Sequence, residues 1–159
     1  MNNEKNRIGE LIIDILIPLA GGLIIGFLIT NSGQQYGQLI KPSFAPPSWI
    51  FRVVWPILYI LMGISYNIYK HKTKSDNLKV NLLYYFQLII NFVWSFIFFR
   101  LRLYGISFLL AVFLAILVGI LFYKFFKTDK VSGLLLVPYL LWLIYASVLS
   151  YFIWMLNEM

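Results

Sequence analysis

The sequence contains no cysteine, so disulfides, thiolate metal sites and cysteine nucleophiles are excluded, while the redox compartment stays open. It has a single histidine, His71, in the lysine-rich stretch "YKHKTK". A lone histidine there reads as a solvated side chain without a partner, not as a metal ligand, and no metal site is expected. Acidic residues are scarce too, six against 13 lysines and arginines. No Ser–His–acid set can be assembled from the apolar stretches, and there is no glycine-rich phosphate loop. Conventional acid–base or nucleophilic catalysis is therefore not expected. Charge of either sign is rare at 12%, and 61% of the 159 residues are hydrophobic. A soluble domain of this size has too little polar surface to cover such a composition. The chain reads as one all-α domain integral to a membrane.

What is present falls into five runs free of charged residues, at 15–40, 53–69, 80–99, 103–123 and 131–157. About 20 apolar residues cross a bilayer as a helix, so each run supplies one crossing. The reading is a five-transmembrane-helix bundle with helices at approximately 8–30, 47–70, 78–99, 104–124 and 132–156. The first run follows Lys5 and Arg7 as a signal peptide would. It also contains Asp14 and Pro18 and lacks a good small-residue cleavage site, so it reads as a retained helix. The long first loop, residues 31–46, carries two prolines, with Pro47 directly after it, and interleaved aromatics, which predicts an ordered segment folded back on the bundle. Pro46 and Pro47 mark the start of the second helix, Asp76 and Asn77 are candidate caps for the third, and Ser132 for the fifth.

The net charge of +7 sits in short clusters between the runs. This fits anchoring to anionic head groups, not nucleic-acid binding. Lys5, Arg7, Lys70, Lys72, Lys74, Lys79, Lys124, Lys127 and Lys130 share one side; Lys41, Arg52, Arg100 and Arg102 share the other. The positive-inside rule puts the N-terminus in the cytoplasm and the first loop and C-terminus outside.

Three helix faces carry chemistry. Trp55, Tyr59, Met62 and Tyr66 share a face of the second helix, either an aromatic core stripe or the wall of a flat slot. Gln87, Asn91 and Ser95 recur every four residues on the third, which turns them to the bundle interior as helix–helix glue or as ligand contacts. On the fifth, Pro138, Trp142, Tyr145, Ala146 and Leu149 form one broad face, with Ala146 and Ser150 leaving room for a neighbouring helix or a ligand and Pro138 expected to kink the ladder. Gly22 and Gly26 form a small-xxx-small pair for close packing or dimerisation. Glu10 and Asp14 are expected to pair with lysines at the interface.

The stretches "KPSFAPPSWIFRVVWPILYILMG", "NLLYYFQLIINFVWSFIFF" and "PYLLWLIYASVLSYFIWMLN" together resemble the translocator protein family (TspO/peripheral benzodiazepine receptor), in its bacterial form. The resemblance covers nearly the whole chain. It implies a five-helix bundle, often dimeric, that binds porphyrins such as protoporphyrin IX and benzodiazepine-site ligands. It also implies light-dependent porphyrin breakdown, with Trp55 and Trp142 as the tryptophans linked to it. Carried over residue by residue, the ligand site takes in Tyr36, Pro46, Pro47, Trp55, Tyr59, Asn91, Trp94, Trp142, Ala146 and Leu149. A flat ring would stack on these aromatics, and Lys41 and Arg52 at the rim would meet its carboxylates. No cofactor is required beyond the ligand. One departure stands out: Tyr151 is followed by "FIWMLNEM", with no cation, which argues against high-affinity cholesterol binding. The expected function is a tetrapyrrole receptor in the membrane; the rival readings are a porphyrin transporter and a ligand-sensing scaffold.

Overall fold

The computed structural model describes residues 2–73 and 77–159, with side chains from residue 6 onward. All regular structure among these residues is helical: α1 (Asn2–Leu28), α2 (Ser32–Gln38), α3 (Trp49–Lys72), α4 (Leu78–Phe96), α5 (Tyr104–Thr128) and α6 (Lys130–Asn157), with a π-helical turn at Ile97–Leu101 after α4. The five long apolar segments run 23 to 28 residues, enough at 1.5 Å per residue to cross a hydrocarbon layer of about 30 Å.

The packing closes into a ring. α1 lies against α3 and touches α4; α3 packs on α6, α6 on α5, and α5 on α4. The polarity is that of a membrane protein. Ile12, Leu16, Ile24, Leu82, Ile89, Leu109, Ile116 and Ile144 are exposed on the outside, while Gln87, Asn91, Ser65 and Ser132 are fully buried inside. Small residues bring backbones together. A Cβ on Gly63 would stand 2.6 Å from the Asp14 carbonyl oxygen and from Ile15 Cα, so α1 and α3 meet backbone to backbone there.

Several sequence expectations need correction. The first helix starts earlier and ends at Leu28, not residue 30, and α5 runs on to Thr128. The loop 31–46 is not wholly irregular, because Ser32–Gln38 forms a two-turn helix. Lys41 Nζ donates to the Tyr36 and Gly37 carbonyl oxygens at its C-terminal end, at 2.8 and 3.2 Å, where the helix dipole favours a cation. The third long helix does not continue to 99. The wider π turn takes over at Ile97, turns both Phe98 and Phe99 inward, and ends on Arg102 in the left-handed region (φ 57°). The cap of α6 is Asp129, whose side chain accepts from the Ser132 N–H at 3.0 Å. Ser132 itself is buried and bridges to α3, its Oγ donating to the Ser65 carbonyl while Ser65 Oγ donates back. Asn77 does cap α4, accepting from the Val80 N–H; Asp76 lies outside the described residues. The helix α6 continues unbroken through Pro138.

The pair Gly22 and Gly26 splits: Gly22 lies against the Tyr59 ring, whereas Gly26 has nothing within 4 Å. His71 Nε2 makes no hydrogen bond among the described residues, and its acidic neighbour Glu10 stands 3.6 Å away.

Two glycine substitutions separate these roles. Gly63→Ala is expected to destabilise the folded bundle by about 1–3 kcal/mol, since two backbones must separate. Gly26→Ala is expected to stay within about 0.5 kcal/mol of the parent. Thermal unfolding of both in the same detergent checks this.

Candidate functional site

The aromatic faces expected from the sequence do converge, near the end of the bundle that carries α2. From α3, Trp55 stacks on Tyr59 one turn below it, ring centroids 5.6 Å apart at 27°. From α4, Trp94 reaches Trp55 at 6.0 Å, and from α6 Tyr139 presents an edge to Trp55 at 6.4 Å. Trp142 of α6 meets Phe51 edge-on at 5.8 Å and Tyr145 at 5.5 Å. Tyr36, on the short α2, is buried against the other side of Phe51 at 5.1 Å. Trp55 and Trp142 both border the two halves of the apolar core, the half around Tyr59 and Tyr139 and the half around Tyr36, Trp94, Ala146 and Leu149. Helical spacing produces this: residues three and four apart share a face, so Phe51, Trp55 and Tyr59 line one wall, and Tyr139, Trp142 and Ala146 line the opposite one.

Beneath the cage lies a polar relay. Tyr59 Oη donates to Asn91 Oδ1 (2.9 Å), Asn91 Nδ2 donates to Tyr139 Oη (3.0 Å), and Tyr139 Oη donates to Gln87 Oε1 (3.0 Å). Gln87 Nε2 points at Met62 Sδ at 3.8 Å. Asn91 is thus engaged with the protein on both its polar atoms, and the stripe joins α3, α4 and α6. Tyr139 was not singled out from the sequence, although its position three before Trp142 signals the same face. Phe51, four before Trp55, carries the same signal.

The indole and phenol groups above the relay are different. Trp94 Nε1, Trp142 Nε1 and Tyr36 Oη are buried and find no protein partner. All three can donate; indole N–H can do nothing else. Burial, reinforced by nearby Tyr145, pushes the Tyr36 phenol well above its ordinary value, so it stays protonated throughout the physiological range.

The first loop covers this end. Asn157, at the end of α6, pairs with the Ile40 backbone in both directions, accepting its N–H at 3.1 Å and donating to its carbonyl at 2.9 Å. Tyr145 Oη donates to the Phe44 carbonyl at 3.0 Å, and the Phe44 ring sits edge-on to Phe152. Lys41, assigned to the rim, is turned back onto α2 with its ammonium 4.9 Å over the Tyr36 ring. Arg52 and Pro47 are exposed and Pro46 is half-buried. Ala146 and Leu149 are buried beside Trp142 and Trp94. A separate apolar cleft of about 470 Å³ opens on the outer surface of α5 and α6, between Phe108, Ala115, Leu140, Ser147 and Tyr151, and shares none of the cage residues.

The relay makes a measurable claim. Asn91→Leu would leave the Tyr59 hydroxyl without its acceptor in a dry interior, at roughly 1–3 kcal/mol, while Tyr139 keeps its bond to Gln87. Thermal unfolding of the purified variant is expected to fall accordingly, and a transition equal to the parent's would rule out a structural relay.

Comparison with known proteins agrees with this architecture. The TspO/MBR family matches residues 15–155. The "Tryptophan-rich protein TspO" of Archaeoglobus fulgidus is 36% identical over 151 residues, covering 93% of this chain and 97% of that protein. "Protein CrtK" of Rhodobacter capsulatus is 37% identical over 131 residues, 81% of this chain and 82% of its own. The pig "Translocator protein" (Sus scrofa) is 33% identical over 147 residues, 90% and 87%. With that match, five apolar helices and a tryptophan cage between three of them, the chain belongs to the TspO/MBR family of membrane helical bundles.

Proposed function

We propose that this multi-pass membrane protein is a receptor for a flat, largely apolar ligand of the porphyrin class, held between Trp55, Trp94 and Trp142. The observation that carries the reading is the set of buried donors without acceptors, Trp94 Nε1, Trp142 Nε1 and Tyr36 Oη, on one aromatic cage. An unpaired buried donor costs about 1–3 kcal/mol, and phenylalanine at any of these positions would avoid it. A ligand carbonyl or carboxylate arriving with a stacking ring would satisfy the donors in a dry site. Benzodiazepine-site compounds, flat and carbonyl-bearing, fit the same description.

Family relatives bear names that point the same way, among them the "Tryptophan-rich sensory protein" of Cereibacter sphaeroides, and a sensory or transport-related role in the membrane follows for this chain. The receptor reading is favoured over a carrier because Gln87, Asn91 and Tyr139 are bonded to each other and offer no open polar path. The lysine distribution supports an orientation with the α2 end outside, and the likeness to bacterial relatives supports a bacterial cytoplasmic membrane. The room beside Gly26 is compatible with a pairing of two copies through α1.

The test is quenching of tryptophan fluorescence by protoporphyrin IX on purified protein, in the dark. Saturable quenching is expected, weakened by at least about tenfold in Trp94→Phe/Trp142→Phe, the loss of one hydrogen bond to a charged group at about 1.5 kcal/mol or more. Illumination adds a second readout: loss of the porphyrin band that disappears in Trp55→Phe/Trp142→Phe would add degradation to binding. Absence of saturable quenching would remove the tetrapyrrole reading and leave the fold untouched.

A further inference from the structure

The helix that touches the cage most closely is the one least embedded in the bundle. Only 11% of the α1 span is buried, against 33–44% for the other four. Yet the Tyr59 ring lies directly on it: a Cβ on Gly22 would come within 2.3 Å of Tyr59 Cε2. Something must hold so lightly packed a helix at that register.

The attachment is electrostatic and lies at the opposite, lysine-rich end. Asp14 is the one charged side chain among the described residues that is buried, 4% exposed. Its carboxylate accepts from Lys70 Nζ at 2.8 Å and from Asn67 Nδ2 at 2.8 Å. Glu10 stands 3.6 Å from His71 one turn away. Asp14 and Gly22 are eight residues apart on α1; Asn67 and Tyr59 are eight apart on α3. The helices run antiparallel, so both pairs meet across the same interval of about 12 Å. The interval is rigid, because Gly63 holds the two backbones in contact inside it. Any slip of α1 that carries Asp14 away from Lys70 and Asn67 carries Gly22 along the Tyr59 ring by the same amount. That ring has little freedom to follow, with its hydroxyl on Asn91 and its face on Trp55.

We propose that Asp14 and Lys70 are positioning residues: their ion pair sets the register of α1 and thereby the spacing of Tyr59 and Trp55, on which affinity for a flat ligand depends. The inference rests on the ligand site described above. A buried ion pair adds little net stability over apolar packing. What it adds here is register, since a carboxylate with two partners tolerates one axial position where a stripe of Ile and Leu tolerates several.

The experiment uses the full chain in lipid nanodiscs, labelled with 5-fluorotryptophan, with Trp55→Phe identifying the Trp55 ¹⁹F resonance. The variant is Asp14→Asn/Lys70→Met, which removes both charges together and avoids stranding either. The Trp55 resonance is expected to shift or broaden while those of Trp49 and Trp154 stay in place. Protoporphyrin IX affinity is expected to weaken roughly fivefold to tenfold, the lower range for coupled sites. Gly22→Ala, acting on the same ring, is expected to add less to this variant than it does to the parent. An unmoved Trp55 resonance with unchanged affinity would overturn the proposal, whatever happens to thermal stability. If protoporphyrin IX does not bind the parent, the ligand reading fails, and the fluorine spectrum alone still decides whether the ion pair sets the Trp55 environment.

Discussion

Inside a hydrocarbon layer a buried amide or hydroxyl has no water to fall back on, so it must find its partner within the bundle. The relay Tyr59–Asn91–Tyr139–Gln87 meets that demand across three helices at once. It therefore fixes the rotation of α3, α4 and α6 about their own axes. One residue of slip on a helix turns a side chain by about 100°. With Tyr59 fixed to Asn91, Trp55 must stack above it; with Tyr139 fixed between Asn91 and Gln87, Trp142 must face the same space one turn on. The tryptophan cage is a consequence of the polar stripe beneath it.

The two ends of the molecule are fastened by different means. At the α2 end the links are side chain to backbone: Asn157 to Ile40, Tyr145 to Phe44, and Glu158, whose carboxylate accepts from the Tyr104 and Gly105 N–H groups at the start of α5. These tie the last residues of the chain to the first loop and to a helix start, where unsatisfied amides need a partner. At the lysine-rich end the links run between side chains, an ion pair of Asp14 with Lys70 and, one turn away, Glu10 beside His71. Backbone links hold a loop over a cage, whereas an ion pair holds one helix against another.

The five spans were legible in the sequence because hydrocarbon thickness sets a length, and the charge-free runs match it. The polar stripe was legible too, since Gln87, Asn91 and Ser95 stand out in a run of Leu, Ile and Phe. What the stripe does was not. Spacing gives a face, but only the partners on α3 and α6 reveal that Asn91 is engaged on both sides. Helix α2 escaped because its seven residues, six of them polar or small around Tyr36, have no apolar period to display. The π turn escaped because its sequence, "IFFRL", differs in no way from one more helical turn. Asp129 lost the cap assignment to Ser132 because both are good capping residues three positions apart. The burial of Asp14 depended on Lys70 reaching it, a contact between residues 56 apart.

On the receptor function proposed here, the same physical rule that makes the relay structural gives the cage its role. Bundles of this kind leave few buried donors unpaired, and each exception needs a reason. Had evolution wanted only apolar filling above Tyr59, phenylalanine would stack as well as tryptophan and carry no stranded N–H. Trp94 and Trp142 carry one each, and Tyr36 adds a hydroxyl held protonated by its burial. Asn91 and Gln87 supply acceptors within the relay, whereas around the upper donors the unpaired buried acceptor among the described residues is Gln35 Oε1, next to Tyr36 on α2. A set of donors with matching acceptors stabilises a fold; a set without them would, in a receptor, select what enters. The selection is by chemistry as well as shape: a flat hydrocarbon would stack but leave three donors stranded, and a flat amine would bring further donors where acceptors are needed. A flat ring edged with carbonyl or carboxylate oxygens meets both requirements.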